Sequence, residues 1–269
     1  MKTKLNLTLA FVSLLLIWSA SAFAQGNTNS SAATPTAGST ASDSSAAKPA
    51  ANDANTSPAA AASAIDLARA ALAAQGGEKF KNLKSLVLIG SVELYAPNST
   101  QALPGKFVMV LGAGDKYRLE VESPVVKFRQ IFDGQQGYSS LPNVQTPNPS
   151  KFGLALLTRF EQPGYTVTAL PDKKKLRAFR ITEPEGSHTD FYIDPATNRI
   201  VSFSVPFQGN TFGVEYKSVK EIEGILVPTS FTQRFETPQG AFFADFKVKD
   251  KDVHVNQPLG DDVFVIPAQ

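Results

Sequence analysis

The chain has 269 residues, 26 of them basic and 24 acidic, and no cysteine. The missing cysteine excludes structural disulfides, thiolate chemistry and the lipid-attachment cysteine of an exported lipoprotein. Taking Lys2 and Lys4 from the 26 basic residues leaves 24 against 24 acidic ones, a balance that offers no overall field for nucleic acid.

Those two lysines precede an apolar run from Leu5 to Trp18, followed by Ser19-Ala20-Ser21-Ala22-Phe23-Ala24. Small residues at Ala22 and Ala24 meet the A-x-A requirement of signal peptidase, so residues 1–24 read as a signal peptide cleaved before Gln25. The strongly apolar core is shorter than the roughly 20 residues of a membrane span, which argues against an uncleaved anchor. The mature chain is expected in the periplasm or the medium. Residues 25–62 are almost entirely Ala, Ser, Thr, Asn, Pro and Gly. Such a leader buries too little surface to offset its ordering entropy, so no fixed structure is expected there. The folded domain is placed at 63–269.

A helix opens that domain. In "SAIDLARAALAAQGG" Ser63 is the expected N-cap, Ile65, Leu67, Ala68, Ala71 and Leu72 gather mostly on one side, and Gly76-Gly77 stops the helix. Beyond it the period changes to two. "SLVLIGSVEL", "KFVMVL", "KYRLEVE", "VVKFRQIFDG", "TVTAL", "LRAFRIT", "TDFYID", "RIVSFSV", "FGVEYKSV", "ILVPTSFTQRFE", "AFFADFKVKDKDV" and "VFVI" each read as a strand. Turn signals such as Asp133-Gly134 and Glu223-Gly224 separate them. Tight turns between evenly spaced strands predict antiparallel meanders in one large curved sheet or barrel. No helix of crossover length recurs between the strands, so α/β architectures fit poorly.

"PNPSKFGLALLTRF", from Pro147 to Phe160, breaks the alternation. Ser150 suits an N-cap, Phe152, Leu156 and Phe160 form a stripe that Leu154 and Leu157 widen, and Pro163-Gly164 ends it. A helix this apolar must bury one side, and the open mouth of the sheet is the natural surface. A permanent plug and a movable lid share this pattern. Phenylalanine dominates the aromatics, with 19 against one tryptophan. Phe128 and Phe132 share a strand face, as do Phe203 and Val205. A sheet face filled by its own side chains accounts for such residues singly. A wide sheet with one interior helix, however, leaves its concave face only partly filled, and curled open sheets enclose ligand space. On that reading Phe107, Met109, Phe128, Phe132, Tyr138, Phe191 and Phe203 line an apolar cavity.

The block "GAGDKYRLEVESPVVKFRQIFDGQQGYSSLPNVQTPNPSKFGLALLTRF" resembles the centre of the LolA-type periplasmic lipoprotein carriers. Tyr117-Arg118-Leu119, Pro124, Phe132-Asp133-Gly134, Tyr138, Pro142 and the apolar helix at Phe152 follow in the family's order. "YIDPATNRI", "EYKSVKEIEGILVPTSF" and "VNQPLGDDVFVIP" extend the similarity, which covers roughly residues 64 to 269. Leu119 stands where the family carries Trp, and the leader is unusually long. The resemblance implies a mainly β, α+β half-barrel of antiparallel strands whose concave face is capped by helices. It also implies binding of lipid or acylated lipoprotein and exchange with membrane-bound donor or acceptor proteins. In that family an inward arginine on the corresponding strand holds the lid closed, which points to Arg118. Strand parity instead puts Arg118 with Glu120 and Glu122, opposite Tyr117, Leu119 and Val121, where it would be a solvent-facing ion-pair partner.

Other signals point to no chemistry. Asp172-Lys173-Lys174-Lys175 reads as a solvated turn, with anionic headgroups as a lesser possibility. His188 and His254 lack carboxylates or a second histidine at metal-ligand spacing, and no H-E-x-x-H is present. "LGAGDK" lacks the glycines and the following helix of a phosphate loop, and no nucleophile elbow occurs. No catalytic residue, metal or cofactor is expected. The reading is an exported, monomeric, non-enzymatic carrier of lipid or lipoprotein acyl chains. A lipid-sensing regulatory protein of the same fold and a structural or interaction protein with a filled core are the alternatives.

Overall fold

A computed structural model describes residues 58–141, 151–238 and 240–268, with side chains from Ala64 onward. The signal-peptide cleavage site, the leader up to residue 57, Pro142 and the Ser150 cap lie outside the described residues.

Helix α1 spans Pro58–Gln75 and so begins ahead of the expected Ser63 cap. The physical reason is local: alanines are the best helix formers, and Pro58 suits a first turn whose N–H groups have no partner. Ala64, Leu67, Ala68, Ala71 and Leu72 are buried along one face, with Ile65 packed beside them. The helix ends in a Schellman closure, Gly77 N donating to Leu72 O at 2.9 Å and Gly76 N to Ala73 O at 3.1 Å. A short helix α2 (Glu78–Lys81) follows.

The twelve strands among the described residues belong to one antiparallel sheet. They are β1 (Ser85–Tyr95), β2 (Leu103–Gly112), β3 (Lys116–Glu122), β4 (Lys127–Phe132), β5 (Gly137–Ser139) and β6 (Thr166–Lys173). β7 (Leu176–Thr182), β8 (His188–Ile193), β9 (Ile200–Phe207), β10 (Asn210–Ile222), β11 (Ile225–Thr237) and β12 (Gly240–Val255) complete it. The order is β5-β4-β3-β2-β1-β12-β11-β10-β9-β8-β7-β6. Two meanders run outward from the central β1–β12 pair, so the edges are β5 and β6, which are consecutive in the chain. The connection from β5 to β6 therefore joins the two rims of an open, curved sheet.

Two expectations are corrected. Val263–Ile266, expected as a strand, is turn and irregular: Val263 N donates to Gly260 O (3.2 Å) and Val265 N to Asp262 O (3.1 Å). It lies against the outer face, where a Cβ on Gly112 would come within 2.7 Å of the Phe264 ring. Conversely, Gly137–Ser139 pairs with β4 as β5, too short for a period to show. The apolar helix is also shorter than its pattern suggested. Helix α3 is Leu154–Leu157, because Gly153 at its start takes φ 60° and ends helical geometry on that side.

The concave face carries the core, and its rings form two groups. Phe179, Phe191, Phe203 and Tyr216 run across β7 to β10 with successive centroids 5.2, 6.1 and 6.3 Å apart. Phe231 stacks on Phe246 at 4.7 Å on β11 and β12. α1 packs chiefly on β6 and α3 on β7. These helices cover the β6–β8 arm and leave the rest of the concave face to enclose a cavity.

Candidate functional site

That cavity has a volume of about 970 Å³. One wall is the sheet: Leu86 and Leu88 on β1, Met109 on β2, Leu119 on β3, Phe128 on β4, Val214 on β10 and Phe231 on β11. The opposite wall is Phe152, Leu154 and Thr158 around α3, with Phe80 and Leu83 beside α2. The volume lies near the top of the range for ligand pockets, roughly 300–1,000 Å³, and the lining is mostly apolar.

Of the residues expected to line it, Met109, Phe128 and Phe203 do so. Phe107, Phe132 and Phe191 are buried, between 0% and 6% exposed, and do not reach the cavity wall. Phe107 packs against Phe246, and Phe191 stacks on Phe179 and meets Phe203 at a tilt. Tyr138 is corrected: it pairs with Ile131, and Ile131 with Arg118, which puts it on the opposite face to Phe128.

The segment around α3 has two sides. Phe152 and Leu154 face the cavity, and Phe152 meets Phe212 at 5.9 Å. Leu156 and Leu157 are wholly buried and Phe160 nearly so, within the same core as Phe179 and Ile181. Polar ties hold its ends. Gly153 N donates to Thr189 Oγ1 at 2.9 Å, Lys151 pairs with Glu185, and Arg159 pairs with Asp115 in the β2–β3 turn. Glu161 accepts from Arg69 of α1 at 2.9 Å and lies 3.6 Å from Lys81 Nζ. Its carboxyl is held below the usual carboxylate range, first by the Arg69 hydrogen bond.

Arg118 does not reach this segment, which corrects the latch drawn from resemblance. Its guanidinium donates to Glu120 at 2.7 Å and to Val263 O at 2.6 Å, on the outer face. Parity explains this, since Tyr117 and Leu119 already occupy the inner face. Burial works against the Glu120 charge, yet Arg118 and Arg129 hold its carboxyl below its ordinary value.

Several lining residues escaped the sequence reading: Tyr117, Phe212, Tyr216, Phe231, Phe235 and Phe242. The signal was available on two strands, because Phe212, Val214 and Tyr216 share one parity on β10, and Phe231 and Phe235 share one on β11. Burial pushes the Tyr117 and Tyr216 hydroxyls above the ordinary tyrosine pKa.

Among the described residues no helix is long and apolar enough to cross a membrane. No family model and no curated protein matches the chain. Solved structures do. A LolA superfamily protein from Nitrosomonas europaea aligns with a TM-score of 0.50 at 11% identity, over 76% of this chain and 97% of that one. A putative outer membrane lipoprotein-sorting protein domain from Vibrio parahaemolyticus aligns with a TM-score of 0.50 at 13% identity, again over 76% and 97%. At these identities the likeness is one of architecture: the chain has the LolA-like fold, an open antiparallel half-barrel with helices against its concave face.

Proposed function

We propose that this protein is an exported carrier that takes up lipid, or the acyl chains of a lipoprotein, and moves them between membranes. The observation that carries the reading is the apolar cavity of about 970 Å³ between the concave sheet and the segment around α3. Its chemistry is noncovalent. Burying a hydrocarbon chain there stabilises the complex by roughly 0.8 kcal/mol per CH₂. Displacing Phe152 and Leu154 on entry subtracts from that gain, which keeps the cargo transferable. The periplasm is the compartment that fits a signal peptide together with the names of the similar structures. Membrane-bound donors and acceptors are the partners this role requires.

Native mass spectrometry after mild purification tests the proposal. The folded protein should carry one or more lipid masses that organic extraction removes, and a fluorescent acyl probe should then bind and be displaced by phospholipid. A protein of bare polypeptide mass that gives no probe enhancement at saturation would instead be a filled scaffold.

A further inference from the structure

The wall of the cavity is not uniformly greasy. Tyr117 on β3 and Tyr216 on β10 both border it, one on each side of the central β1–β12 pair. Each is half-buried, and neither hydroxyl has a hydrogen-bond partner among the described residues. Gln130 lines the cavity beside Tyr117, diagonal to it in the β3–β4 register, and its side-chain amide is likewise unpartnered. A ligand that fills the cavity takes these donors out of water, and polar groups withdrawn from water are almost always hydrogen-bonded, so such a ligand must offer acceptors on both arms.

The cations of the lining narrow what those donors can meet. Lys81 pairs with Glu78 and Glu161, Arg159 with Asp115, and Arg234 with Glu236. Lys116 holds its ammonium 5.9 Å from the ring of Phe264, which packs on the outer face. Neutral donors are therefore offered without a cation aimed inward. A carboxylate or phosphate held here would lack a counter-charge, whereas a neutral carbonyl is satisfied by hydroxyl and amide donors alone.

Resting on the carrier reading, we infer that Tyr117 and Tyr216 donate their hydroxyls to the ester or amide carbonyls of a bound acylated ligand, with Gln130 as a third donor. The cavity thus encloses the acyl linkages as well as the tails, and a ligand with carbonyls at two chains satisfies both arms. These residues select acyl-linked chains over bare hydrocarbon or ether-linked ones, while the phenylalanine wall accepts all of them.

A matched pair of lipids tests this: a diacyl phosphatidylglycerol and the diether analogue with the same head and chain lengths. The delipidated wild-type protein should bind the diester more tightly, by about 2- to 10-fold for each hydroxyl engaged. Tyr117→Phe with Tyr216→Phe should erase the preference by weakening the diester alone. The variant should melt no lower than wild type, because the empty protein loses only unpartnered hydroxyls. Equal binding of the two lipids by wild type, equal weakening of both in the variant, a lowered melting temperature, or tighter binding of palmitate than of the diester would each overturn the inference. If wild type binds neither lipid, the carrier reading itself fails.

Discussion

Phe107 stands edge-on to Phe246, with ring centroids 4.8 Å apart, in space left open by Gly90 directly across the β1–β2 pair. A Cβ on Gly90 would sit 2.7 Å from Phe107 Cε1 and 2.1 Å from the carbonyl oxygen of Lys247. The second contact is with backbone, so no rotamer change relieves it. Gly90→Ala should destabilise the fold by about 1–3 kcal/mol. That corresponds to roughly 2–4 °C of melting temperature per kcal/mol in a domain of this size. Gly137→Ala is the control: nothing lies within 4 Å of its added Cβ, and its melting temperature should stay at the wild-type value. Thermal unfolding followed by circular dichroism reads both.

Arg118 joins Glu120 to the backbone of Val263 and so fastens the C-terminal segment to the outer face. Arg118→Ala removes a charge-assisted bond worth on the order of 1–3 kcal/mol. Limited proteolysis should then cut within residues 261–268 sooner, with acyl-probe affinity unchanged. A changed affinity with an intact, protected tail would restore the latch role that resemblance suggested.

Glu161 gives the α3 segment a pH dependence. The Arg69 hydrogen bond, followed by the Lys81 charge, depresses its folded pKa. A depressed carboxylate contributes stability that is present above its unfolded pKa, about 4.3, and is lost as pH falls through the lower folded value. Acidification should therefore loosen the tie to α1 below the ordinary glutamate range. In Arg69→Ala the Glu161 carboxyl should titrate closer to that range, as carboxyl chemical shifts would show. Titration at the same pH in both proteins would mean that the pair is absent in solution.

The strand meander was legible because alternation with tight turns leaves few other arrangements, and eleven of the twelve expected strands formed. "VFVI" has the same alternation, but no strand edge is free beside it, so Val263 and Phe264 settle on the outer face instead. The cavity was only partly legible. Parity places Phe107 and Met109 on the same face, yet Phe107 is packed under Phe246 and Phe231 while Met109 reaches the wall. Which ring fills and which lines depends on neighbours across the sheet, and these follow from the β1–β12 pairing rather than from any local pattern. The latch failed for a related reason. Resemblance supplied a role, but Tyr117 and Leu119 had already taken the inner face of β3.

The segment around α3 is both wall and core, and its two sides should answer differently. Leu156 is fully buried, so Leu156→Ala should cost about 2–5 kcal/mol and lower the melting temperature clearly. Leu154 borders the cavity and is half-buried, so Leu154→Ala should weaken acyl-probe binding while barely moving the melting temperature. If Phe152 and Leu154 must move aside for cargo, the amides of residues 151–160 should exchange faster than those of β1 and β12 in the empty protein. They should slow when diacyl lipid is bound, since the ligand then supports the cavity side. The ties of Gly153 to Thr189 and of Arg159 to Asp115 are the contacts that must open, so protection should change most next to them. Protection equal to β1 with and without lipid would make the segment a fixed plug, and entry to the cavity would then have to come from the β11–β12 hairpin end, past Phe235 and Phe242.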